Sequence, residues 1–193
     1  EDFLRLVEDL AVRRIYNDLP AREALLEAVP QEGAHLFWLD ALGVEYLGLI
    51  TACAKRLGLR IRVQVGRAML PTITCVNRAF FDEWRGTKEK DARLDDLKHG
   101  EKSRYNYTEE KHPIHLAKEI AVIEEMMQHA ATQLAVGNCR RFVIASDHGA
   151  SRLAVRREQE EKYPTDTGGE HSGRCCRMFA GYAHDLPFAT EEG

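Results

Sequence analysis

The sequence contains no apolar run that approaches the roughly 20 residues a membrane-spanning helix needs, and its start lacks the segments of a signal peptide. Basic residues do not outnumber acidic ones: 27 Lys and Arg stand against 31 Asp and Glu, a net charge of −4. That balance argues against a nucleic-acid binder that relies on bulk positive charge. It is compatible with an enzyme that meets phosphate through bound metal ions. We expect a cytoplasmic protein with no membrane partner.

The cysteines exclude two further classes. Their number, five, is odd, and none of them stands in a C-x-x-C pair, since Cys175 and Cys176 are direct neighbours. Neither a disulfide scaffold nor a zinc finger fits this spacing.

Length and composition predict one globular domain with an extension. At roughly 150 residues per domain, 193 residues exceed a single unit only slightly. With 44% apolar and 30% charged residues, the composition is ordinary for such a domain. We expect a helical extension over residues 1–30 and the core over residues 31–193. Because the chain lacks an initial Met and ends abruptly, we also expect it to be a piece of a longer protein.

The pattern of apolar residues predicts an α/β fold with a largely parallel sheet flanked by helices. The predicted helices are two short ones in residues 1–29, then 44–57 and 114–134; the predicted strands are 35–39, 59–65, 70–74, 141–146 and 178–184. The charged stretches 82–112 and 156–173 are predicted to be mainly solvated loops. In parallel sheets, ligands bind beyond the carboxyl ends of the strands, so the residues there are the first candidates for a site.

Two predicted strands end in a carboxylate. Asp40 follows the apolar run 35–39, and Asp147 follows 141–146 with His148 directly after it. A carboxylate at the tip of a buried strand is costly unless something pairs with it. A helix cap or a buried ion pair is one explanation, and a divalent metal ion is the other.

Further candidates lie at a third strand end and in the charged stretch. Hydroxyls near 70–74 would either cap the following helix or, beside a metal, act as nucleophile, and the sequence offers both Thr72 and Thr74. Asp95 and His99 are four residues apart, so one helical turn would direct both to one point. A carboxylate with an imidazole suits zinc or manganese.

The last candidates come late in the chain. His171 stands in a glycine-rich loop, where backbone can approach a ligand closely, although an exposed surface histidine is the alternative. Arg152 and Arg174 are near the proposed ligands in sequence and would hold a phosphate in a bidentate fashion. A role in solvent or in a carboxylate pair is the other reading of these arginines.

Taken in order, these segments resemble a known family. A strand followed by Asp, then P-T-I-T-x-x-N, D-x-x-x-H, S-D-H-G and a late G-x-H-S resemble the alkaline phosphatase superfamily. The closest resemblance is to the PglZ branch, found in the BREX phage-defence systems of bacteria and archaea. The segment 144–153 is the most specific part, and the resemblance covers roughly residues 34–184.

The resemblance implies an alkaline-phosphatase-like core with two divalent metal ions, zinc or manganese. One ion would be held by Asp40, Thr74, Asp147 and His148, and the other by Asp95, His99 and His171. Thr74 would be the nucleophile in phosphoester hydrolysis, and the phosphate would be contacted by Asn77, Arg152 and Arg174. A two-metal clamp of this kind stabilises the attacking and leaving oxygens of an in-line displacement.

We therefore expect a metal-dependent phosphodiesterase, nuclease or phosphatase that works with other BREX proteins. Nucleic acid is one candidate among its phosphoester substrates. The first alternative is a catalytically weak assembly module of the BREX complex with the same fold. A second is a phosphatase or phosphonate hydrolase for small molecules. A sulfatase is disfavoured, because its modified cysteine needs C-x-P-x-R and Cys75 is followed by Val76.

Overall fold

The computed structural model describes residues 18–69, 72–99 and 114–149, together with residues 5, 6, 9, 10, 12 and 13. The strands are β1 (Ala34–Leu39), β2 (Thr87–Asp91) and β3 (Arg141–Ala145). The helices are α1 (Arg22–Glu27), α2 (Leu47–Arg56), α3 (Thr74–Asn77), α4 (Ala79–Asp82), α5 (Arg93–His99) and α6 (Ile114–Ala135), with a 3₁₀ turn at Val44–Tyr46.

The strands form one parallel sheet in the order β2-β1-β3, so β1 is central. Trp38 on β1 lies opposite Lys90 on β2 and Ala145 on β3. Because side chains alternate along a strand, Phe37 and Leu39 point to one face and Leu36 and Trp38 to the other.

Both faces of the sheet are covered. On one side Phe37 and Leu39 pack with apolar side chains of α2, α5 and α6, including the fully buried Leu94 and Ile123. On the other side Leu36 and Trp38 pack with Phe80 and Trp84, and the apolar side chains of α1 lie against this second cluster. The described residues therefore form three layers, with helices on both sides of the sheet. This agrees with the sequence of β1, in which His35 is the only polar residue, because a strand buried on both faces is apolar throughout.

The coarse fold prediction is confirmed: the structure is mixed α/β with a small parallel sheet flanked by helices. The predicted strands 35–39 and 141–146 are β1 and β3, and the predicted helices 44–57 and 114–134 are present. Gly58 (φ 68°) and Gly137 (φ 77°) follow α2 and α6 in the left-handed conformation that ends a helix. The alkaline-phosphatase-like architecture stays a prediction.

The predicted strand 59–65 is wrong. Its apolar residues alternate with polar ones, yet residues 59–66 have no regular structure. Ile61, Val63 and Val65 are 42%, 43% and 40% exposed, so no face of the segment is buried. Alternation predicts a strand only where one face meets a core, and within 59–65 only Leu59, at the first position, packs against the described core.

The charged stretch 82–112 is not mainly loop in its described part, because it contains all of β2 and all of α5. The β2 sequence Thr-Lys-Glu-Lys-Asp is polar, and this strand lies at one edge of the described sheet. Its two lysines place their ammonium groups over aromatic rings, with Lys90 Nζ 3.6 Å from the Trp38 ring centre and Lys88 Nζ 5.1 Å from that of Phe81.

Other predictions differ or lie elsewhere. Residues 72 and 73 are not a strand, and Thr74 instead begins α3. The predicted loop 156–173, the strand 178–184 and most of the first N-terminal helix lie outside the described residues. Within the described part of the chain, no helix has the length and apolar character needed to cross a membrane.

Candidate metal centre at the strand ends

The carboxyl edge of the sheet collects the polar residues of the site. Asp40 directly follows β1, and Asp147 with His148 follows β3. Asp95 lies in the first turn of α5, which begins two residues after β2 ends. Thr74 is the first residue of α3. Parallel strands end at the same edge, so chain segments that are far apart in sequence deliver these side chains to one place.

Thr74 is held at the centre of the group. Its hydroxyl donates a hydrogen bond to Oδ2 of Asp147 at 2.6 Å, and Oγ1 lies 3.4 Å from Nε2 of His148. The side chain remains partly accessible. A hydroxyl with an ordered proton acceptor and an open side has the arrangement of an activated nucleophile.

Asp147 is fully buried and stays ionised. Burial opposes its negative charge, but the hydrogen bond from Thr74 and the charge of His148 outweigh burial and lower the pKa of Asp147. Its Oδ1 also accepts hydrogen bonds from Trp38 Nε1 at 3.1 Å and from the Ala41 amide at 3.4 Å. The carboxylate is thus fixed in position with one oxygen directed at Thr74.

The pKa of Asp40 is shifted in the opposite direction from that of Asp147. Burial and the neighbouring Asp147 raise the pKa of Asp40 to about 6, although Lys90 counteracts them. Lys90 Nζ is 2.6 Å from Oδ2 of Asp40. The other oxygen, Oδ1, is buried, accepts no hydrogen bond within the described residues, and lies 3.5 Å from Nε2 of His148. This half of the carboxylate lacks a donor.

Three of these residues have the chemistry of a metal site. One ligand atom from each of Asp40, Asp95 and His148 lies within 4.8 Å of the other two. His148 Nε2 is 4.0 Å from Oδ1 of Asp95. Two carboxylates and one imidazole suit zinc or manganese, and three protein ligands with an open position are typical of catalytic zinc. The buried, undonated oxygen of Asp40 fits a cation, so the residues present fit the predicted metal.

Arg22 supports the site, and the sequence analysis missed it. It is 7% exposed, and its Nη1 donates to the carbonyls of Ser146 and Asp147 at 3.1 and 3.0 Å. Its guanidinium carbon lies 4.4 Å above the ring of Phe80. Arg22 thereby fixes the end of β3 from a helix that the sequence analysis placed in the extension, and no sequence signal marked it.

Gly149, the glycine of the S-D-H-G segment, lies where the loop after β3 passes close to the backbone of another loop. A Cβ on Gly149 would lie 2.9 Å from the Cα of Gly43, a backbone atom that cannot move aside easily. Ser146 Oγ donates to the carbonyl of His148 at 2.7 Å and accepts from the amide of Leu42 at 2.9 Å. The β1–α2 and β3 loops are therefore in close backbone contact, which holds Asp40 near His148.

The position of Asn77 does not agree with the predicted contact to phosphate. Asn77 is fully buried, and its Nδ2 donates to the carbonyls of Met69 and Ile73 at 2.9 and 3.1 Å. Its Oδ1 accepts from the Met69 amide at 2.7 Å and from Arg22 at 3.2 Å. The amide is used to shape the segment before α3, so it does not face a ligand.

The remaining predicted residues divide into two groups. Of the two candidate threonines, Thr74 lies in the cluster and Thr72 is exposed. Asp95 also lies in the cluster, whereas its neighbour Asp96 is exposed. The side chain of His99 and all of His171, Arg152 and Arg174 lie outside the described residues. The second metal site, predicted from Asp95, His99 and His171, is therefore described only at Asp95.

Comparisons with family models, curated proteins and solved structures found no match to this chain. The resemblance to the PglZ branch therefore rests on the sequence motifs alone.

Proposed function

We propose that this chain contains the core of a metal-dependent phosphoester hydrolase of the alkaline phosphatase superfamily and that Thr74 is its nucleophile. The observation that supports this most is the position of Thr74, bonded to Asp147 and close to His148. Five residues that the sequence motifs predict as site residues come from four separate segments and lie together at one edge of the sheet: Asp40, Thr74, Asp95, Asp147 and His148. A helix-capping role would explain the position of Thr74, but it would not explain why the other four residues lie beside it.

The chain's own residues would act as follows. Asp147 holds the hydroxyl proton of Thr74 and orients Oγ1 toward the open side of the site. As Oγ1 bonds to phosphorus, the bond from phosphorus to the leaving oxygen breaks and the hydroxyl proton passes to Asp147. Water then attacks the phosphorus of the phosphothreonine, releases the phosphate product and restores the hydroxyl.

The metal requirement follows from the ligand set. Asp40, Asp95 and His148 would hold the cation, with Asp147 beside them. Bound divalent ions would supply positive charge for the phosphoryl oxygens and lower the pKa of the attacking hydroxyl. The two-ion stoichiometry and the choice of zinc or manganese are part of this proposal and derive from the resemblance.

The biological setting is proposed on the resemblance. We infer that the hydrolase acts in a BREX phage-defence system, with other BREX proteins as partners and a phosphodiester such as nucleic acid as substrate. Because the net charge of the chain is −4, nucleic acid would have to be held by the metal centre or by a partner rather than by a basic surface.

One observation favours the alternative of an assembly module with weak catalysis. Lys90 already pairs with Asp40 at 2.6 Å, so the protein has its own cation at one edge of the cluster. If Lys90 satisfies Asp40 permanently, the site needs no metal and the fold serves mainly for assembly. Metal occupancy separates the two functions.

The test uses a neighbouring threonine as its control. Thr74→Ala and Thr72→Ala are compared with wild type in hydrolysis of bis(p-nitrophenyl) phosphate and of p-nitrophenyl phosphate with zinc or manganese. We expect Thr74→Ala to lower turnover at least about 10³-fold with metal content retained, and Thr72→Ala to stay near wild type. Preference for the diester would support the phosphodiesterase, and preference for the monoester the phosphatase. Unchanged turnover in Thr74→Ala would contradict the nucleophile assignment.

A further inference from the structure

A second group of metal-ligating side chains lies away from the strand ends. It consists of His35 on β1, Glu89 on β2 and His129 on α6, and one ligand atom from each lies within 4.8 Å of the other two. At about 3.3 Å per residue, the five positions from His35 to Asp40 place His35 about 16 Å along β1 from Asp40, and Glu89 lies opposite Phe37, about 10 Å from Asp40 along the strand. None of the three belongs to the motifs that predicted that centre.

The two histidine nitrogens approach the same carboxylate oxygen of Glu89. His35 Nε2 lies 3.2 Å from Oε1 of Glu89, and His129 Nε2 lies 2.5 Å from the same atom. Ligand atoms around tetrahedral zinc are separated by about 3.3 Å. The first distance already matches, and the second needs a shift below about 1 Å from His129, whose side chain is 37% exposed.

The surroundings of His35 prepare Nε2 as a ligand atom. Its Nδ1 is 3.1 Å from Oγ1 of Thr87, and that hydroxyl in turn donates to the carbonyl of Ala34 at 3.4 Å. Because the hydroxyl proton is used on Ala34, the proton of this contact belongs to Nδ1 of His35. That tautomer leaves a lone pair on Nε2, which is buried and faces the Glu89 carboxylate. Second contacts of this kind orient metal-binding histidines in known sites.

The ring of His35 is also fixed in place. It stacks on Phe142 of β3 with ring centres 5.1 Å apart and an angle of 17°, and His129 meets the same ring edge to face at 5.7 Å. A lone pair and a carboxylate oxygen held this close repel each other unless a cation lies between them. The arrangement therefore calls for a cation, either a metal ion or a proton on the histidines.

We propose that His35, Glu89 and His129 bind a zinc ion that links β1, β2 and α6 and keeps one position open to solvent. Two imidazoles and a carboxylate are a known zinc ligand set. Glu89 and His129 are 38% and 37% exposed, so the ion can enter from solvent. This site is independent of the proposed hydrolase function and of the metal centre at the strand ends.

The test compares zinc content and thermal stability of wild type, His129→Ala and the matched control Gln128→Ala, an exposed neighbour on α6. We expect His129→Ala to hold about one zinc ion fewer per chain than wild type and to lose part of the rise in Tm caused by zinc. Gln128→Ala should behave as wild type. Glu89→Gln, which keeps the shape of the side chain, should also lose the ion.

A further variant tests the orienting contact. Thr87→Val removes the hydroxyl beside Nδ1 of His35 and should weaken zinc binding about 10–100-fold in calorimetric titration with ZnCl₂. If His129→Ala and Glu89→Gln bind as much zinc as wild type with the same affinity, the proposal is overturned and protonated histidines account for the cluster. Neither result depends on hydrolysis, so a failed activity assay would leave this test intact.

Discussion

Replacing Asp40 by Asn distinguishes a metal centre from a structural ion pair, because the two predict opposite changes in stability. The pKa of Asp40 is raised from 3.8 to about 6, so the folded protein binds its proton more tightly than the unfolded chain does. Stability from this group is therefore full below about pH 4 and is lost as pH rises through about 6. At neutral pH, the ionised Asp40 costs stability in the absence of metal.

The magnitude follows from the same shift. A rise in pKa from 3.8 to about 6 corresponds to about 3 kcal/mol between low and neutral pH. Asn resembles the neutral acid, so Asp40→Asn should raise the free energy of unfolding by up to about 3 kcal/mol at pH 7.5 in EDTA. At pH 4 the two proteins should be nearly equal. If Asp40 served only to pair with Lys90, the same change should instead destabilise the protein.

The assay is urea unfolding in EDTA at pH 4 and pH 7.5, with the exposed Asp96→Asn as control, which should stay within about 0.5 kcal/mol of wild type. In zinc at 1,000 times the Kd of wild type, the order should reverse: wild type gains about 4.1 kcal/mol from this site, and Asp40→Asn gains little. Equal or lower stability of Asp40→Asn at pH 7.5 in EDTA would refute this reasoning.

Three further substitutions and one pH dependence test other parts of the account. Lys90→Met, which keeps a stem over Trp38, should tighten zinc binding about tenfold in calorimetry, since a competing cation is removed; weaker binding would contradict this. Arg22→Met should cost about 3 kcal/mol in urea unfolding, because buried carbonyls at the end of β3 lose their donor, and a cost below about 1 kcal/mol would count against it. Gly149→Ala should cost about 1–3 kcal/mol through backbone overlap, measured in the same way. Zinc affinity should fall by about tenfold per pH unit below about pH 6, where Asp40 takes up a proton, and an affinity independent of pH from 5 to 7 would contradict that.

The parts of the fold that could be predicted are those whose burial requires a recognisable pattern of apolar residues in the sequence. β1 and β3 are recognised from apolar runs because both faces of β1 are buried and side chains from both faces of β3 pack against the core clusters. α6 is read from helical spacing, since one side of it packs on the sheet. The residues that follow the strands were predicted for the same reason: once a parallel sheet is expected, its carboxyl edge is known.

The parts that could not be predicted depend on neighbours in space. β2 is a strand although it reads Thr-Lys-Glu-Lys-Asp, because it pairs with β1 and its two lysine ammonium groups lie over aromatic rings. Residues 59–65 alternate as a strand should, but after Leu59 their apolar side chains are exposed. Asn77 and Arg22 show the same limit at the site, since only tertiary hydrogen bonds reveal that one is structural and the other supports β3.

The most direct test of the central claim is the zinc content of the purified protein after equilibration with zinc and desalting. The account predicts that the double variant Asp40→Ala with His148→Ala loses about one ion relative to wild type, because the ion assigned to Asp95, His99 and His171 does not depend on these two side chains alone. A loss of about two ions would mean that the two ions of the clamp are bound only together. The same zinc content in the folded double variant and in wild type would contradict a metal centre at the strand ends.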